Sequence, residues 1–259
     1  QKIPPKLNAY GEVTMIDVGQ GDSILIQMPH DEGTYLIDTG GTITFAEEAW
    51  QKRSKTYDVG QDVVVPFLKG KGITEIDKLI LTHGDMDHIG GALAVINSLR
   101  VREIVLPAVK EQSQAEKSII QQAGVKGIPV HEVSEGDYWE NGSTAFYVLN
   151  PSDGFAGEKN RGSIVLNAKL GGLSWLFTGD LDGDGEEKIV KSYPDLKIDV
   201  LKVGHHGSKT STSMSFINKF NPSVALISVG EGNRFGHPTK EVLDILEECG
   251  SDIFRTDEQ

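Results

Sequence analysis

The chain has 259 residues and a net charge of −13, because 38 aspartates and glutamates outweigh 25 lysines and arginines. Its length allows one large domain or two small ones, and its composition is that of a globular protein. The charge argues against a broad electrostatic grip on nucleic acid. The single cysteine, Cys249, excludes an internal disulfide and a thiolate metal cluster. The longest apolar runs fall far short of the ~20 residues that a membrane-spanning helix needs.

Strand-like and helix-like segments alternate along the whole chain, without an internal repeat or a polar linker. We therefore expect residues 1–259 to form a single domain. The chain opens with Gln1 and shows no signal peptide, so we interpret it as a domain excised from a larger protein.

The first half of the chain begins with strands and then adds helices. Apolar runs bounded by turn-forming residues predict strands, and apolar residues at helical spacing predict helices. In chain order we predict strands at 12–17, 23–28, 34–38 and 78–82, a helix at 89–99, a strand at 103–106 and a helix at 113–123.

The second half repeats this order of strands followed by helices. We predict strands at 144–149, 163–170 and 173–178, a helix at 185–192, a strand at 198–203, a helix at 213–220, a strand at 224–229, a helix at 240–249 and a strand at 252–255. Two β-rich halves that each continue into helices predict an α/β fold of two packed sheets with helices outside. The expected architecture is a four-layer αββα sandwich.

The densest group of candidate metal ligands directly follows the predicted strand 78–82. His83 and His88 offer imidazole nitrogens, and Asp85 and Asp87 offer carboxylate oxygens. A turn can direct all four side chains into one space. The alternative is a polar loop in which Asp87 caps the next helix. Capping does not explain two histidines beside two aspartates, so we expect a metal site.

Further candidate ligands follow later in the chain. Asp180 and the pair His205 and His206 each follow a predicted strand, and His237 stands just before a predicted helix. Each alone is compatible with a buried structural histidine or a helix cap, but together they indicate a site at one edge of the sheets. The segment from Asp180 onward also resembles the start of a calcium loop. Its twelfth position is Lys191 instead of the required glutamate, which argues against calcium.

Taken together, these residues resemble the metallo-β-lactamase superfamily. Its signature His-x-His-x-Asp-His appears at 83–88, with Asp85 in place of the second histidine. Within that superfamily the chain resembles the carboxy-terminal hydrolase domains of the ComEC family of competence proteins, from about Tyr10 to Arg255. The segments that carry the resemblance are DVGQGD (17–22), IDTG (37–40), DHIGG (87–91), NRGS (160–163), TGD (178–180), GHHGS (204–208) and GHP (236–238).

The resemblance implies a pair of divalent metal ions between the sheets. The ligands it implies are His83 and Asp85 for the first ion, Asp87, His88 and one of His205 and His206 for the second, and Asp180 as a bridge. The first site is short of a nitrogen ligand, because Asn160, Arg161 and Ser163 stand where some relatives have a further histidine. Since Asp85 adds an oxygen ligand and a negative charge, we favour Mn²⁺, with Zn²⁺ or Mg²⁺ as alternatives.

Two metal ions can activate a water molecule for attack on phosphorus. We expect Asp87, Ser208, Lys209 and His237 to act in catalysis. We expect Asn160, Arg161, Ser163, Lys202, Ser211 and Arg234 to bind the substrate. The amides that begin the helix after the run 208–213 are candidates for binding an anion, and a helix cap with additional serines is the alternative.

The resemblance implies a metal-dependent phosphodiesterase, a DNA nuclease that degrades the strand not imported during DNA uptake. It also implies a bacterial cell-membrane protein with this domain on the extracytoplasmic face, beside the transmembrane channel region of the same chain. We expect a monomeric domain that acts on single-stranded DNA without sequence specificity, since no base-reading motif is visible. Two alternatives remain: a hydrolase of a small phosphodiester or phosphocholine-type ester, and a docking or gating domain with a degenerate metal site.

Overall fold

A computed structural model describes residues 9–42 and 57–258, so Gln1 lies outside the described part of the chain. The first large sheet is built from six strands of the first half: β1 (Glu12–Met15), β2 (Ile24–Gln27), β3 (Thr34–Ile37), β5 (Lys78–Ile80), β7 (Ile104–Pro107) and β8 (Val130–Val133). Their spatial order is β1-β2-β3-β5-β7-β8. The short strands β4 (Glu75–Ile76) and β6 (Arg100–Val101) pair separately.

The second large sheet is built from seven strands of the second half: β9 (Tyr138–Asn141), β10 (Thr144–Asn150), β11 (Val165–Leu170), β12 (Leu173–Phe177), β13 (Val200–Lys202), β14 (Val224–Ile227) and β15 (Asp252–Arg255). Their spatial order is β15-β14-β13-β12-β11-β10-β9. Strands β9 to β12 are antiparallel hairpins, whereas β12 to β15 run parallel.

Helices connect the strands. In the first half they are α1 (Val65–Gly70), α2 (Met86–Ile89), α3 (Ala92–Ser98) and α4 (Gln114–Lys126), with a π-helical turn at Gly60–Val64 before α1. In the second half they are α5 (Gly183–Ser192), α6 (Met214–Phe220) and α7 (Lys240–Glu248). Within residues 9–42 and 57–258, no helix is both long and apolar enough to cross a membrane.

Three apolar cores hold the layers together. One lies between the sheets and contains Tyr35 from the first sheet and Phe146 from the second, whose ring centroids are 5.0 Å apart. Another joins the outer face of the first sheet to helices such as α3, and the third joins the outer face of the second sheet to α5, α6 and α7. Helix, sheet, sheet and helix therefore form four layers. The predicted αββα sandwich is confirmed.

The five predicted strands that lead into the site end one or two residues earlier in the structure than predicted. Asp38, His83, Asp180, His206 and Ser228 all lie just beyond the last residues of strands β3, β5, β12, β13 and β14. Strands β3 and β5 run parallel, as do β12, β13 and β14, so their carboxyl ends meet at one edge of each sheet. Once the chain leaves the strand it can turn these side chains toward the space between the sheets.

Candidate metal centre

The segment after β5 is shaped by contacts with the end of β3. The amide N–H of Thr82 donates to Oδ1 of Asp38 at 2.8 Å, and the Thr82 hydroxyl donates to Oδ2 at 2.6 Å. Helix α2 then begins after Asp85, whose side chain makes no capping hydrogen bond. Asp87 lies inside the first turn of this helix, and its carboxylate faces His206. The alternative of a loop capped by Asp87 therefore does not hold.

Four side chains from three segments converge at this edge. Asp87, His88, Asp180 and His206 each place one ligand atom within 4.8 Å of those of the other three. Nε2 of His88 lies 3.2 Å from Oδ1 of Asp180. Nε2 of His206 lies 3.5 Å from Oδ2 of Asp87 and 3.7 Å from Oδ2 of Asp180. Two nitrogens and two carboxylates thus surround one small space.

The atoms that face this space are buried and lack hydrogen-bond partners. They include Nε2 of His88, Nε2 of His206 and Oδ1 of Asp180. The opposite ring nitrogens are engaged, because Nδ1 of His88 donates to Asp38 at 2.8 Å and Nδ1 of His206 donates to the carbonyl of Ser228 at 2.9 Å. Leaving buried polar atoms unbonded is costly. This arrangement directs each Nε2 toward the common space, where it can bind a cation once its proton has left, as metal-binding histidines require.

The charges of these groups are strongly coupled. Burial disfavours the protonated form of His206, but the negative charges of Asp180 and Asp22 outweigh burial and raise its pKa to about 9. The pKa of His88 is also raised well above its usual value, because Asp180 and Asp38 together outweigh its burial. Burial favours the neutral acid at Asp180, yet the neighbouring imidazoles hold its pKa well below the usual range. In the metal-free chain, protonated histidines therefore balance the carboxylates.

The predicted first-site ligands lie directly beside this group. Nε2 of His83 is buried without a partner and is 3.7 Å from Oδ2 of Asp85. Burial, together with the charge of His88, lowers the pKa of His83 to about 4, so its imidazole is neutral near pH 7. Oδ1 of Asp85 also accepts a hydrogen bond from the ammonium group of Lys159 at 2.8 Å. The structure therefore brings His83 and Asp85 together, with a lysine already paired to the carboxylate.

The structure separates the two neighbouring histidines that sequence could not distinguish. His206 is buried and belongs to the four-residue group, whereas the side chain of His205 is 29% exposed. Nδ1 of His205 lies 3.1 Å from the Thr210 hydroxyl and its ring centroid is 5.7 Å from that of His237. His205 and His206 have positive φ angles, 48° and 55°, so the backbone turns sharply at this pair. We assign His206 to the four-residue group and His205 to its opening.

An open pocket of about 300 Å³ leads to these residues. Asp87 and His237, both expected to act in catalysis, line it together with His205, His206 and Phe235. Nδ1 of His237 is buried without a partner. Its pKa is lowered by burial and by the neighbouring histidines. The pocket therefore joins solvent to the convergent ligands.

Three residues expected to bind substrate are buried instead. The side chain of Lys202 is 1% exposed, its ammonium group pairs with Asp22, and it donates to the carbonyl of Gly179 at 3.0 Å. The Ser211 hydroxyl donates to the carbonyl of Leu181 at 2.7 Å, and the Ser163 hydroxyl accepts the amide N–H of Asp180 at 3.3 Å. These contacts engage the polar atoms of Lys202, Ser163 and Ser211 within the protein, so the geometry does not favour a substrate contact at these three residues.

The predicted anion site before α6 is already filled by the protein. Glu186 accepts the amide N–H groups of Thr212 and Ser213, the latter at 2.8 Å, and the Ser213 hydroxyl caps the helix. The alternative of a helix cap is correct. The Ser208 side chain is buried and its hydroxyl bonds to that of Thr210 at 3.0 Å, so a direct catalytic role for Ser208 does not fit this structure. The side chain of Lys209 is exposed.

The remaining predicted substrate residues lie around the centre. Nδ2 of Asn160 is 3.5 Å from Nδ1 of His205, which places it at the opening. Arg161 pairs with Asp182 and Asp184 at the start of α5, so its guanidinium is committed to that helix. Arg234 lines a neighbouring cavity of about 260 Å³ together with Gln20 and Phe235. The side chain of Asp182 caps α5.

Sequence reasoning assigned no role to Asp22 or Asp38, although both lie in segments that carried the family resemblance. Both side chains are buried. Asp38 orients His88, and Asp22 pairs with Lys202 and lies 3.5 Å from Nδ1 of His206. For Asp38 the available signal was an aspartate directly after an apolar strand, as at Asp180, whereas Asp22 stands before a strand and directly after Gly21.

Comparison with known proteins identifies a family of metal-binding hydrolases, which agrees with the convergence of candidate ligands. Residues 16–231 match the Metallo-beta-lactamase superfamily. The chain belongs to this superfamily, whose members are generally metal-dependent hydrolases.

Its relatives include competence proteins, which confirms the resemblance found in the sequence. It is 42% identical over 256 residues to ComE operon protein 3 of Bacillus subtilis (strain 168), covering 99% of this chain and 33% of that protein. It is 34% identical over 253 residues to competence protein ComA of Neisseria gonorrhoeae, covering 95% and 31%. The chain thus spans about a third of the length of these relatives. The solved metallo-beta-lactamase fold protein YhfI from Bacillus subtilis shares the fold, with a TM-score of 0.58 at 12% identity over 95% of each chain.

Proposed function

We propose that this domain is a metal-dependent phosphodiesterase that hydrolyses DNA without sequence specificity. The observation that carries the proposal is the convergence of buried, unbonded ligand atoms of Asp87, His88, Asp180 and His206 at the end of an open pocket. Such an arrangement is unfavourable in the absence of a cation. The arrangement therefore supports a cation-dependent function.

The donor set fits two divalent metal ions. Asp87, His88, Asp180 and His206 would hold one ion, while His83 and Asp85, with Asp180 as a bridge, would hold the other. Two bound metal ions supply a water molecule of lowered pKa and positive charge for the oxygens at phosphorus. Because the set is rich in carboxylates, we favour Mn²⁺, with Zn²⁺ or Mg²⁺ as alternatives.

Two exposed or partly buried residues complete the proposed site. His237 lines the pocket, and Asn233 fixes its backbone by accepting its amide N–H at 3.1 Å and donating to its carbonyl at 2.6 Å. The lowered pKa keeps this imidazole neutral near pH 7. A neutral imidazole donates a hydrogen bond to a phosphate oxygen, and we assign this role to His237. Lys209, exposed beside the histidine pair, would attract the phosphate backbone.

The relatives suggest the biological setting. Proteins named for competence match this chain closely, and each is about three times its length. We infer that the domain belongs to a bacterial membrane protein, lies on the extracytoplasmic face beside a channel region of the same parent chain, and degrades the DNA strand that is not imported. The net charge of −13 does not oppose this function, since bound divalent ions supply positive charge where the phosphate lies.

The test is cleavage of end-labelled single- and double-stranded oligonucleotides with EDTA, Mn²⁺, Mg²⁺ or Zn²⁺. We expect metal-dependent cleavage that Asp180→Ala abolishes, while Asp252→Ala, which removes an exposed aspartate on β15, retains it. Turnover of bis-p-nitrophenyl phosphate without cleavage of any DNA would favour the small-ester hydrolase. Inactivity on both substrates would favour the docking or gating domain.

A further inference from the structure

A third cavity opens beside the candidate metal centre. It measures about 290 Å³ and lies between the end of β7, the start of α4 and residues 155–162. His83 and Gly84 line it, so it reaches a predicted metal ligand. The open pocket lined by Asp87 and His237 reaches the centre through different residues. A substrate bound at the metal ions therefore has room on two sides. The volume is at the lower end of small-molecule pockets, about 300–1,000 Å³.

Phe155 supplies the aromatic wall of this cavity and is held in place. Its amide N–H donates to the carbonyl of Ala108 at 3.1 Å, and its carbonyl accepts the amide N–H of Lys110 at 2.9 Å. Gly157 and Gly162 lie against the ring. A Cβ atom at these two positions would come within 2.8 Å and 3.1 Å of ring atoms. The surrounding backbone thus fits the ring closely and fixes it as a platform.

The cavity is lined by hydrogen-bond donors and by hydrogen-bond acceptors. Lys110 and Lys159 offer donors, and Glu111 and Glu158 offer acceptors. Nζ of Lys159 lies 2.8 Å from Oδ1 of Asp85, so one donor stands between the cavity and the metal centre. A flat heterocycle that carries both donors and acceptors matches such a rim around an aromatic wall. A choline group has no hydrogen-bonding atoms and favours enclosure by aromatic rings, whereas this cavity has one such ring among its lining residues.

We propose that this cavity binds the nucleobase next to the phosphate that is cleaved, with the base stacked on Phe155. The inference rests on the proposed DNA hydrolysis and adds the position of the base. Stacking on an aromatic ring accepts all bases, because every base has a π face. It also gives a strongly acidic chain a means of holding DNA that does not depend on a basic surface.

The test is cleavage, with Mn²⁺, of single-stranded oligonucleotides that are intact or carry one abasic site. For the wild-type protein we expect kcat/KM at the phosphate beside the abasic site to fall about ten-fold. Phe155→Ala should lower cleavage of the intact strand about ten-fold and abolish any further effect of the abasic site. Phe155→Trp should restore the difference in cleavage between the intact strand and the abasic strand. Tyr147→Ala, which removes an exposed aromatic ring on β10, is the matched control and should behave as wild type.

The melting temperature and Mn²⁺ affinity of each variant verify that the fold and the metal centre persist. Equal cleavage of intact and abasic strands by the wild-type protein would overturn the base pocket and leave the nuclease proposal standing. Failure to cleave any DNA would overturn the proposed function and this inference with it. A Phe155→Ala variant that loses hydrolysis of p-nitrophenyl phosphorylcholine while cleaving both DNA strands as wild type would assign the cavity to a choline group and overturn the base pocket.

Discussion

Nδ1 of His88 lies 2.8 Å from Oδ2 of Asp38, and neither side chain is exposed to solvent. Asp38 also accepts two hydrogen bonds from Thr82, so its carboxylate is fixed before any metal ion arrives. This contact selects the tautomer of His88 whose Nε2 faces Asp180. An outer carboxylate of this kind increases the basicity of a histidine ligand and fixes its ring.

Asp38→Asn should therefore weaken metal binding while keeping every direct ligand. We expect the affinity for Mn²⁺ to fall about 10- to 100-fold, the effect of losing an outer partner of a ligand histidine. Calorimetric titration of the purified protein with MnCl₂ measures it. Asp77→Asn is the matched control, because Asp77 likewise accepts a backbone N–H, from Thr34 at 2.8 Å, but lies apart from the centre. Equal affinities for both variants would show that Asp38 has no influence on the metal.

The two adjacent histidines should differ sharply on substitution. His206→Ala removes a member of the compact group, and we expect it to lower Mn²⁺ affinity by at least about 100-fold, more than the loss of an outer partner. His205→Ala should change the affinity less, because His205 is partly exposed and stands outside the four-residue group, although its Nε2 lies 3.7 Å from Oδ2 of Asp180. Electron paramagnetic resonance of free Mn²⁺ gives both affinities. The reverse ranking would exchange the two assignments.

Metal binding should release protons. Since the pKa of His206 is about 9 and that of His88 is also raised, both imidazoles are protonated in the metal-free chain near neutral pH. A metal ion binds neutral imidazole, so we expect about two protons to leave per ion at this site near pH 7. The apparent affinity should rise with pH and level off as the pH passes the raised pKa. Calorimetry in buffers of different ionisation enthalpy counts the protons, and a count of zero would contradict these charge states.

The buried pair of Lys202 and Asp22 predicts a large effect on stability. Lys202→Met removes the lysine partner of the buried Asp22 carboxylate and leaves His206, 3.5 Å away, as a cationic neighbour, so we expect a loss of about 3 kcal/mol, the lower end of the range for breaking a buried ion pair. The double variant Lys202→Met/Asp22→Asn removes both charges and should recover most of that loss. Urea denaturation measures both free energies of unfolding. A single variant as stable as wild type would mean that the pair is not needed for folding.

Much of the site could be predicted from local sequence. His83 and Asp180 stand just after apolar strands, and parallel strands bring their carboxyl ends together. Side-chain direction inside a strand was harder to predict. Leu201 and Val203 face the outer helices, so Lys202 between them points the opposite way, into the protein. Its partner lies 180 positions earlier in the chain, and no local pattern reveals that contact.

The fold was predicted in its layers but not in all its elements. The helical segment Gly60–Gly70 was missed, although Pro66 in the first turn of α1 is a known start signal. Strands β4 and β6 have two residues each and carry too little pattern to detect. Strand ends were misjudged because apolar residues continue past the last ladder hydrogen bond, and only the tertiary contacts of Asp38 and Thr82 decide where the chain turns.

The proposed hydrolysis requires that the unbonded ligand atoms of Asp87, His88, Asp180 and His206 hold a metal ion. Anomalous diffraction from crystals grown with MnCl₂ tests this. We predict one peak in bonding contact with Asp87, His88, Asp180 and His206, and a second, weaker peak beside His83 and Asp85, where fewer ligands converge. Crystals saturated with Mn²⁺ that show no peak among these six residues would contradict the metal centre and the hydrolytic function built on it.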